Sequence, residues 1–95
     1  MHTVVRHYKG SAKLMDELSQ RQGDIKELIS GVPGFVSYVI FKTDDGGASV
    51  SVYQDKSGTE ESNKRAAAYI KENLDGIAAG PPEIIEGDAF LQFNA

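Results

Sequence analysis

A few polar side chains in this sequence have the chemistry to act on a bound molecule. His7 lies in an alternating segment near the start of the chain, and an imidazole can accept a proton near neutral pH. Asn63 and Tyr69 lie together in a later segment, where an amide can hold a substrate oxygen and a phenol can make one hydrogen bond. We therefore take Asn63, His7 and Tyr69 as candidate catalytic residues.

Each of these candidates also has an ordinary structural role open to it. Asn63 can hydrogen-bond to a neighbouring strand or loop, since buried polar groups are normally satisfied internally. His7 has no triad partner in the sequence, and a single histidine on a strand is commonly packed or exposed. The tyrosines are equally suited to a core or an interface.

Several kinds of chemistry are excluded by residues that the sequence lacks. It has no cysteine, which removes disulfides, thiolate metal sites and cysteine nucleophiles. Its two histidines, His2 and His7, have no acidic neighbour, so their spacing gives no local metal site. Phosphate-binding glycine loops, the GxSxG motif and the HExxH motif are also missing. We expect neither a metal nor a cofactor.

Length and charge limit the partners of the chain. Its 95 residues suffice for one domain, which we assign to residues 1–95. The net charge of −4 disfavours nucleic acid and anionic membranes, which require basic patches. The first residues contain no apolar signal region, and no segment approaches membrane-spanning length. These features predict a cytoplasmic protein with no nucleic-acid or membrane partner.

The hydrophobic pattern predicts the element order βαββαβ. We expect strands at 2–9, 35–43, 48–55 and 83–93, the last interrupted near 86–88. We expect helices at 11–30, with a kink or restart at Asp24 after Gly23, and from Ser57 to about Leu74, where Ser57 and Glu60 form a capping box. This order is typical of the ferredoxin-like α+β fold, a four-stranded antiparallel sheet with both helices on one face.

The two middle strands are apolar on both of their faces. The residues Asp44-Asp45-Gly46-Gly47 favour a tight hairpin turn, which pairs odd residues of the second strand with even residues of the third. We expect the helices to cover one face, made of Phe35, Ser37, Val39, Phe41, Val50 and Val52. The other face consists of Val36, Tyr38, Ile40, Ser49, Ser51 and Tyr53. We expect a second copy of the chain to cover this second, open face.

The face assigned to the helices supplies most of the candidates for contacting a ligand. Ser37 and Gln54 are polar positions on it, either in a pocket wall or at wet strand ends, and Phe41 is aromatic. Arg6 and His7 alternate on the first strand, so one points toward the helices and the other away from them. Our candidate substrate-binding residues are Ser37, Gln54, Phe41 and Arg6.

Three stretches of the sequence carry a family resemblance. They are Pro33-Gly34-Phe35, the strand SVSVYQD at 49–55, and the run from Glu61 to Ile70 followed by Glu72-Asn73-Leu74. With the βαββαβ order, they resemble the dimeric α/β-barrel superfamily, in particular uncharacterised bacterial members grouped with the antibiotic biosynthesis monooxygenases. The resemblance implies a homodimer whose two sheets pack face to face, with a pocket between the sheet and helices of each protomer.

The resemblance also implies cofactor-independent oxygenation of a small aromatic or apolar molecule. Family oxygenases use Asn, Trp and Tyr near polycyclic phenols, and the haem-degrading members use a helix histidine as an axial ligand. This sequence has no Trp and no histidine in its second predicted helix, so it departs from both patterns. The alternative is a non-catalytic small-molecule-binding or interaction module of the same fold.

Overall fold

The structure is a computed structural model that describes residues 1–77 and 80–95. Its elements are β1 His2–Lys9, α1 Ala12–Ser19, α2 Gln22–Ser30, β2 Phe35–Thr43, β3 Gly46–Tyr53, α3 Lys56–Asn73 and β4 Glu83–Asp88. The strands form an antiparallel sheet in the order β2-β3-β1-β4, and the helices pack on one of its faces. The predicted ferredoxin-like α+β fold is confirmed. Within the described ranges, none of the helices is long and apolar enough to cross a bilayer.

The segment predicted as one helix at 11–30 forms two helices. The backbone N–H groups of Gln20 and Arg21 bond back three residues to the carbonyls of Glu17 and Leu18, and α2 begins at Gln22. The restart therefore comes before Asp24. Leu18 and Ile25 lie seven residues apart, close to two full turns, so both face the core whether or not the helix is continuous. For this reason the apolar pattern did not locate the break.

The start of α3 is capped by a different residue from the one predicted. Asp55 is the N-cap, and its carboxylate accepts hydrogen bonds from the Gly58 N–H at 3.3 Å and the Ser57 hydroxyl at 2.5 Å. The predicted capping box of Ser57 with Glu60 was wrong, because an aspartate two residues earlier takes the capping position. Gly58 lets α3 approach the sheet closely, since a Cβ at this position would lie 2.8 Å from the Tyr53 Cβ.

The last strand is shorter than the sequence pattern predicts. β4 ends at Asp88, where the sequence indicated an interruption, and residues 89–95 lie outside the sheet. Ala89 still donates a backbone hydrogen bond to the Met1 carbonyl at 2.8 Å. Beyond it, Phe90, Leu91 and Phe93 are exposed.

The hairpin between β2 and β3 has the predicted pairing. Thr43 pairs with Gly46, which leaves Asp44 and Asp45 as the two loop residues. Val39 consequently faces Val50 across the strands, an odd residue against an even one. The register shifts between Phe35 and Ser37, so that Phe35 pairs with Tyr53.

The two faces of the sheet are covered the opposite way round from our expectation. Tyr38, Ile40 and Tyr53 pack against the core formed with the helices. Val39 and Phe41 lie on the open face, where they are 53% and 47% exposed. The assignment of Tyr38 and Tyr53 to a face covered by a second copy was therefore wrong.

Two features of the helix-covered face allow the helices to pack on it. Neither feature is visible in its number of apolar residues. The Tyr53 hydroxyl donates to the Ile29 carbonyl at 2.6 Å, so this buried phenol has its hydrogen-bond partner on α2. Gly47 leaves the space that Met15 fills, because a Cβ on Gly47 would overlap the Met15 sulfur. The hydrogen bond of the Tyr53 hydroxyl and the fit of Met15 against Gly47 therefore favour packing of the helices on this face, although both faces are apolar.

Candidate functional site

An apolar cleft of about 640 Å³ opens along β2, between this strand and helices α1 and α2. β2 is an edge strand of the sheet, so no further strand closes the cleft on that side. The apolar walls are formed by Met15, Leu18, Ile25, Ile29, Tyr38 and Ile40, with Phe35, Val39 and Phe41 at the strand edge. The polar residues at the border are Ser19, Gln22, Lys26, Ser30 and Lys42. A cleft of this size and character suits a small organic molecule.

A small void of about 20 Å³ adjoins the inner end of the cleft. The two cavities share Leu18, Ile25, Ile29, Tyr38 and Ile40 as wall residues. Tyr8 from β1 and Tyr69 from α3 also border the void, but they do not border the cleft. The void has room for about one water-sized group. Three tyrosines, Tyr8, Tyr38 and Tyr69, therefore surround a small void that shares a wall with the cleft.

Tyr8 and Tyr38 are neutral phenols at physiological pH. Burial raises the pKa of Tyr38 to about 12, against the opposing effect of a hydrogen bond with Ser49. Burial also raises the pKa of Tyr8, and the positive charge of Arg6 acts in the opposite direction. Both side chains are therefore suited to hydrogen-bond donation and unsuited to act as bases near pH 7.

Tyr69, one of the catalytic candidates, is held by two residues near the start of α2. Its hydroxyl donates to Asp24 Oδ2 at 3.0 Å and accepts from Arg21 Nη1 at 3.4 Å. These contacts tie α3 to α2 and fix the phenol at the border of the void. The same contacts occupy both the donor and an acceptor site of the hydroxyl.

Arg6, one of the substrate-binding candidates, points toward the helices and is 7% exposed. Its guanidinium carbon lies 5.4 Å from the centroid of the Tyr8 ring. Its Nε has no hydrogen-bond partner in the described part of the chain. The alternation on β1 predicted that either Arg6 or His7 would face the helices, and the structure identifies Arg6.

His7 lies on the open face of the sheet, across from the cleft. Its Nε2 is 3.2 Å from Asp45 Oδ1, and the Thr43 hydroxyl donates to the same oxygen at 2.7 Å. These two hydrogen bonds, from Thr43 first and His7 second, lower the pKa of Asp45. His7 is thus part of a hydrogen-bonded group at the hairpin end of the sheet.

Asn63 is half-buried on α3 and borders neither the cleft nor the void. The structure therefore does not bring Asn63, His7 and Tyr69 together in one site of a single chain. Only Tyr69 lies at the cavity. Sequence spacing placed Asn63 and Tyr69 on one helix, but it does not reveal which part of that helix faces the cavity.

The other substrate-binding candidates lie away from the helix-covered face. Ser37 pairs with Val52 on the open face, and Phe41 pairs with Ala48 there, although Phe41 also borders the cleft at the strand edge. Gln54 is exposed beyond the end of β3, and its backbone N–H bonds to the Gly34 carbonyl at 2.8 Å. Placing these residues under the helices was wrong, because the covered face is the tyrosine-bearing one.

Sequence reasoning missed most of the cleft walls. Tyr38 and Ile40 were assigned to the other face, and the contributions of Met15 and Ile25 depend on how two helices meet an edge strand. One signal was available for Tyr38. A buried phenol needs a hydrogen-bond partner, and the small hydroxyl residues of β3 offer one.

The described residues give no histidine ligand to this cleft. His2 is buried, and its Nδ1 lies 2.5 Å from Thr59 Oγ1, while His7 is on the open face. Neither borders the cleft, so a haem bound there would find no imidazole ligand among them. In the same ranges, no three His, Asp or Glu side chains gather as a metal site.

No family model and no curated protein matches the sequence. Solved structures do match over nearly the whole chain. The haem-degrader MhuD from Mycobacterium tuberculosis, with two haems bound in its active site, has a TM-score of 0.69 at 15% identity, covering 99% of this chain and 100% of that one. The ActVA-Orf6 monooxygenase of Streptomyces coelicolor, in complex with nanaomycin D, has a TM-score of 0.64 at 19% identity, covering 99% and 89%.

A third match is SnoaB, a cofactor-independent oxygenase from Streptomyces nogalater. Its TM-score is 0.61 at 16% identity, covering 99% of this chain and 96% of that chain. Identities this low establish a common fold and not a common activity. The chain has the fold of these antibiotic biosynthesis monooxygenase-like proteins, as the sequence resemblance predicted.

Proposed function

We propose that the protein binds a small aromatic or otherwise apolar molecule in the cleft and oxygenates it without a cofactor. The observation that carries this proposal is the apolar cleft of about 640 Å³, which is lined by Tyr38 and shares a wall with the void bordered by Tyr8 and Tyr69. The fold that forms it also serves a monooxygenase bound to nanaomycin D and a cofactor-independent oxygenase. Binding is therefore measured first and oxygen consumption second.

The proposed reaction requires little from the protein beyond binding and hydrogen bonding. An activated aromatic CH₂ group reacts with O₂ to give a carbonyl group and water. The carbon loses two hydrogens and four electrons, one oxygen atom becomes the carbonyl oxygen, and the other leaves in the water. Neutral phenols at the inner end would stabilise the substrate oxygen that gains negative charge when a C–H proton leaves. The apolar walls would keep water from the reacting carbon.

Among the candidate catalytic residues, Tyr69 is supported by its place at the void, and Tyr38 joins it as a second phenol. Asn63 remains a proposed amide donor on the same helix as Tyr69. His7 would take part only if substrate lay between two sheets, because it faces away from the cleft. Tyr38→Phe and Tyr69→Phe are the variants in which we expect the largest loss of turnover.

We also propose that the protein is a homodimer formed through the open sheet face. This face exposes Val39, Phe41 and Ile85, which are 53%, 47% and 69% accessible. Val5 and Val50 pair with one another between them and extend the same apolar surface. A second sheet placed against this face would remove a contiguous apolar patch from water.

A non-catalytic binding module of the same fold is the second candidate function. Two observations favour it: the Tyr69 hydroxyl already has two partners, and the three catalytic candidates lie apart. Such a protein would bind the same class of molecule in the same cleft and release it unchanged. Measurement of turnover, and not of binding, separates the two functions.

The first experiment is native mass spectrometry of the purified protein, followed by oxygen-electrode measurements with dithranol, a hydroxylated anthrone that contains an activated CH₂ group. A dimer that consumes one O₂ per carbonyl formed, with EDTA present and above the rate of dithranol alone, supports the oxygenase. A dimer that binds dithranol without oxygen uptake supports the binding module. A monomer with neither activity would overturn the proposal.

Two tryptophan variants localise any effect to the cleft. Ser30→Trp adds bulk at the cleft border, and Ala67→Trp adds the same bulk at an exposed position of α3 away from it. We expect Ser30→Trp to reduce dithranol binding about tenfold or more, since it occupies ligand volume. Equal effects of the two substitutions would show that dithranol binds elsewhere.

A further inference from the structure

Arg6 is a buried cation that the fold leaves without an anionic partner. The side chain is 7% exposed, and it lies between Ser49 of β3 and Ile84 of β4 in the sheet register. Neither neighbour carries a charge. In the described part of the chain, the ion pairs all involve other basic side chains.

The nearest carboxylate in the register of this face is Glu86, opposite Val4 on β4. It lies 3.5 Å from the His2 ring and makes no ion pair with Arg6. Arg6 is left with the Tyr8 ring, at 5.4 Å, and with an Nε that has no hydrogen-bond acceptor in the described ranges. A buried charge with unsatisfied donors destabilises a fold, and such a group calls for a functional or ligand-based explanation.

The position of Arg6 connects it to the inner end of the cleft. The Tyr8 ring contacted by the guanidinium also borders the void, and Tyr38 borders both the void and the cleft. The charge of Arg6 acts on both phenols, since it lowers the pKa of Tyr8 and of Tyr38 against the effect of burial. Arg6 itself borders neither the cleft nor the void, and Tyr8 is the residue that borders the void and contacts its guanidinium.

We propose that Arg6 binds a carboxylate group of the ligand, whose apolar aromatic part lies in the cleft, so that the natural ligand is an aromatic acid. This inference rests on the proposed binding of an aromatic molecule in the cleft and names its chemical class. A guanidinium offers paired N–H donors that match the two oxygens of a carboxylate. The ligand then supplies the hydrogen-bond acceptor and the negative charge that Arg6 does not receive from the described residues.

The test compares 2-naphthoate with 2-naphthamide, two probes of nearly the same shape that differ in charge. Binding of each is measured by isothermal titration calorimetry to the wild-type protein and to the Arg6→Met, Arg6→Lys and Arg65→Met variants. Arg65→Met is the matched control, because Arg65 is exposed on α3 and paired with Glu61. All four proteins are first compared by circular dichroism and thermal melting.

We expect the wild-type protein and Arg65→Met to bind naphthoate about tenfold tighter than naphthamide, as a charge-assisted bidentate contact provides. Arg6→Met should bind the two probes about equally. Arg6→Lys should keep a reduced preference for naphthoate, and it carries the test alone if Arg6→Met does not fold.

The failures of the two proposals are distinguishable. If the wild-type protein binds both probes equally, or if Arg6→Met keeps the preference for naphthoate, Arg6 is not the anion site and cleft binding stands. If neither probe binds, the aromatic-acid ligand and the proposed binding of aromatic molecules in the cleft are overturned together. Arg6→Met also gives a second readout. A melting temperature at or above the wild-type value supports a binding role, and a large decrease supports a structural one.

Discussion

The two faces of the sheet are both apolar, but they differ in what their side chains require. On the helix-covered face, Tyr38 and Tyr53 carry hydroxyls that are hydrogen-bonded to Ser49 and to the Ile29 carbonyl. On the open face, Val39, Phe41 and Ile85 have no polar side-chain atoms. The tyrosine hydroxyls of the covered face therefore need hydrogen-bond partners at specific positions. The three apolar side chains of the open face need only to be removed from water.

This difference indicates which structural elements can pack against each face. Helices from the same chain present backbone carbonyls and shaped side chains at fixed positions, as Ile29 and Met15 do here. A sheet from a second copy presents mainly apolar side chains, which suit the open face. The face with tyrosines thus lines the cleft, and the face with Val39, Phe41 and Ile85 is left for association.

The largest expected effect comes from placing a charge on each face in turn, at adjacent positions of β2. Tyr38→Asp puts a carboxylate against the helices and should cost about 4 kcal/mol or more, enough to unfold much of the protein. Val39→Asp lies on the exposed side and should lower the stability of the single chain by only about 0.5 kcal/mol, apart from any stability lost with the dimer. Urea unfolding measures both stabilities.

Size-exclusion chromatography with light scattering extends this comparison to association. We expect Val39→Asp to be a folded monomer, since its carboxylate would be buried between two sheets in the proposed dimer. A stable Tyr38→Asp protein would show that the helices do not cover this face. A fully dimeric Val39→Asp protein would remove the open face as the interface.

The covered face should also make stability depend on alkaline pH. The pKa of Tyr38 is raised from 10.0 to about 12, so from pH 10 to 12 the unfolded chain loses the phenol proton and the folded chain keeps it. Stability then falls as pH rises through this window, by about 2 kcal/mol for this group. Tyr38→Phe removes the contribution.

Urea unfolding of the wild-type protein and Tyr38→Phe at pH 8, 10, 11 and 12 measures this difference. At pH 8 the phenol is protonated in both states, so this pH gives the reference difference in free energy of unfolding between the two proteins. Above pH 10 the wild-type protein should lose stability relative to the variant. Parallel curves up to pH 12 would show that Tyr38 is not buried as described.

A smaller effect is expected when a hydroxyl is removed from each face. Tyr53→Phe deletes the donor to the Ile29 carbonyl, a bond of 2.6 Å in the core, and should cost about 1–2 kcal/mol. Ser37→Ala removes a hydroxyl from the open face and should change stability by less than about 0.5 kcal/mol. Equal losses in thermal unfolding would contradict the contrast between the faces.

The smallest effect concerns the hairpin end of the open face. Hydrogen bonds from Thr43 and His7 lower the pKa of Asp45, so the ionised carboxylate stabilises the fold above the ordinary value of 3.8. That contribution is lost as pH falls through the lowered pKa of the folded state. Thr43→Val should therefore be less stable than the wild-type protein at pH 6, and the difference should shrink as the pH falls below 3.8. A difference in stability that does not change with pH would show that Thr43 acts through packing and not through the Asp45 carboxylate.

Much of the fold was predictable because its signals are local. The bounds of β1 and β2 follow from alternation, and a tight turn within Asp44 to Gly47 follows from its residue types. The two loop residues, Asp44 and Asp45, do not have the positive φ of a primed turn. The break before Gln22 was not located, because Leu18 and Ile25 keep the same helical phase on either side of it. The N-cap Asp55 was overlooked beside a plausible capping pair.

The candidate site was predictable only in part, since its walls come from residues far apart in the chain. Alternation on β1 shows that either Arg6 or His7 faces the helices. Both faces of β2 and β3 are apolar, so their pattern does not reveal which face meets the helices. The cleft itself depends on β2 being at the sheet edge, a property of strand order and not of local sequence. Tyr69 was identified by its residue type, and its partners Asp24 and Arg21 were not.

The strand order also affects how the chain folds. β1 lies between β3 and β4, and its pairing with β4 joins His2 to Asp88, across every other element described. Contacts between residues so distant in sequence are slow to form, because the intervening chain loses much of its freedom when they close. During synthesis β1 can pair with β3 while residues 83–88 are still missing. Until those residues emerge, one edge of a central strand is open, and aggregation through that edge competes with folding.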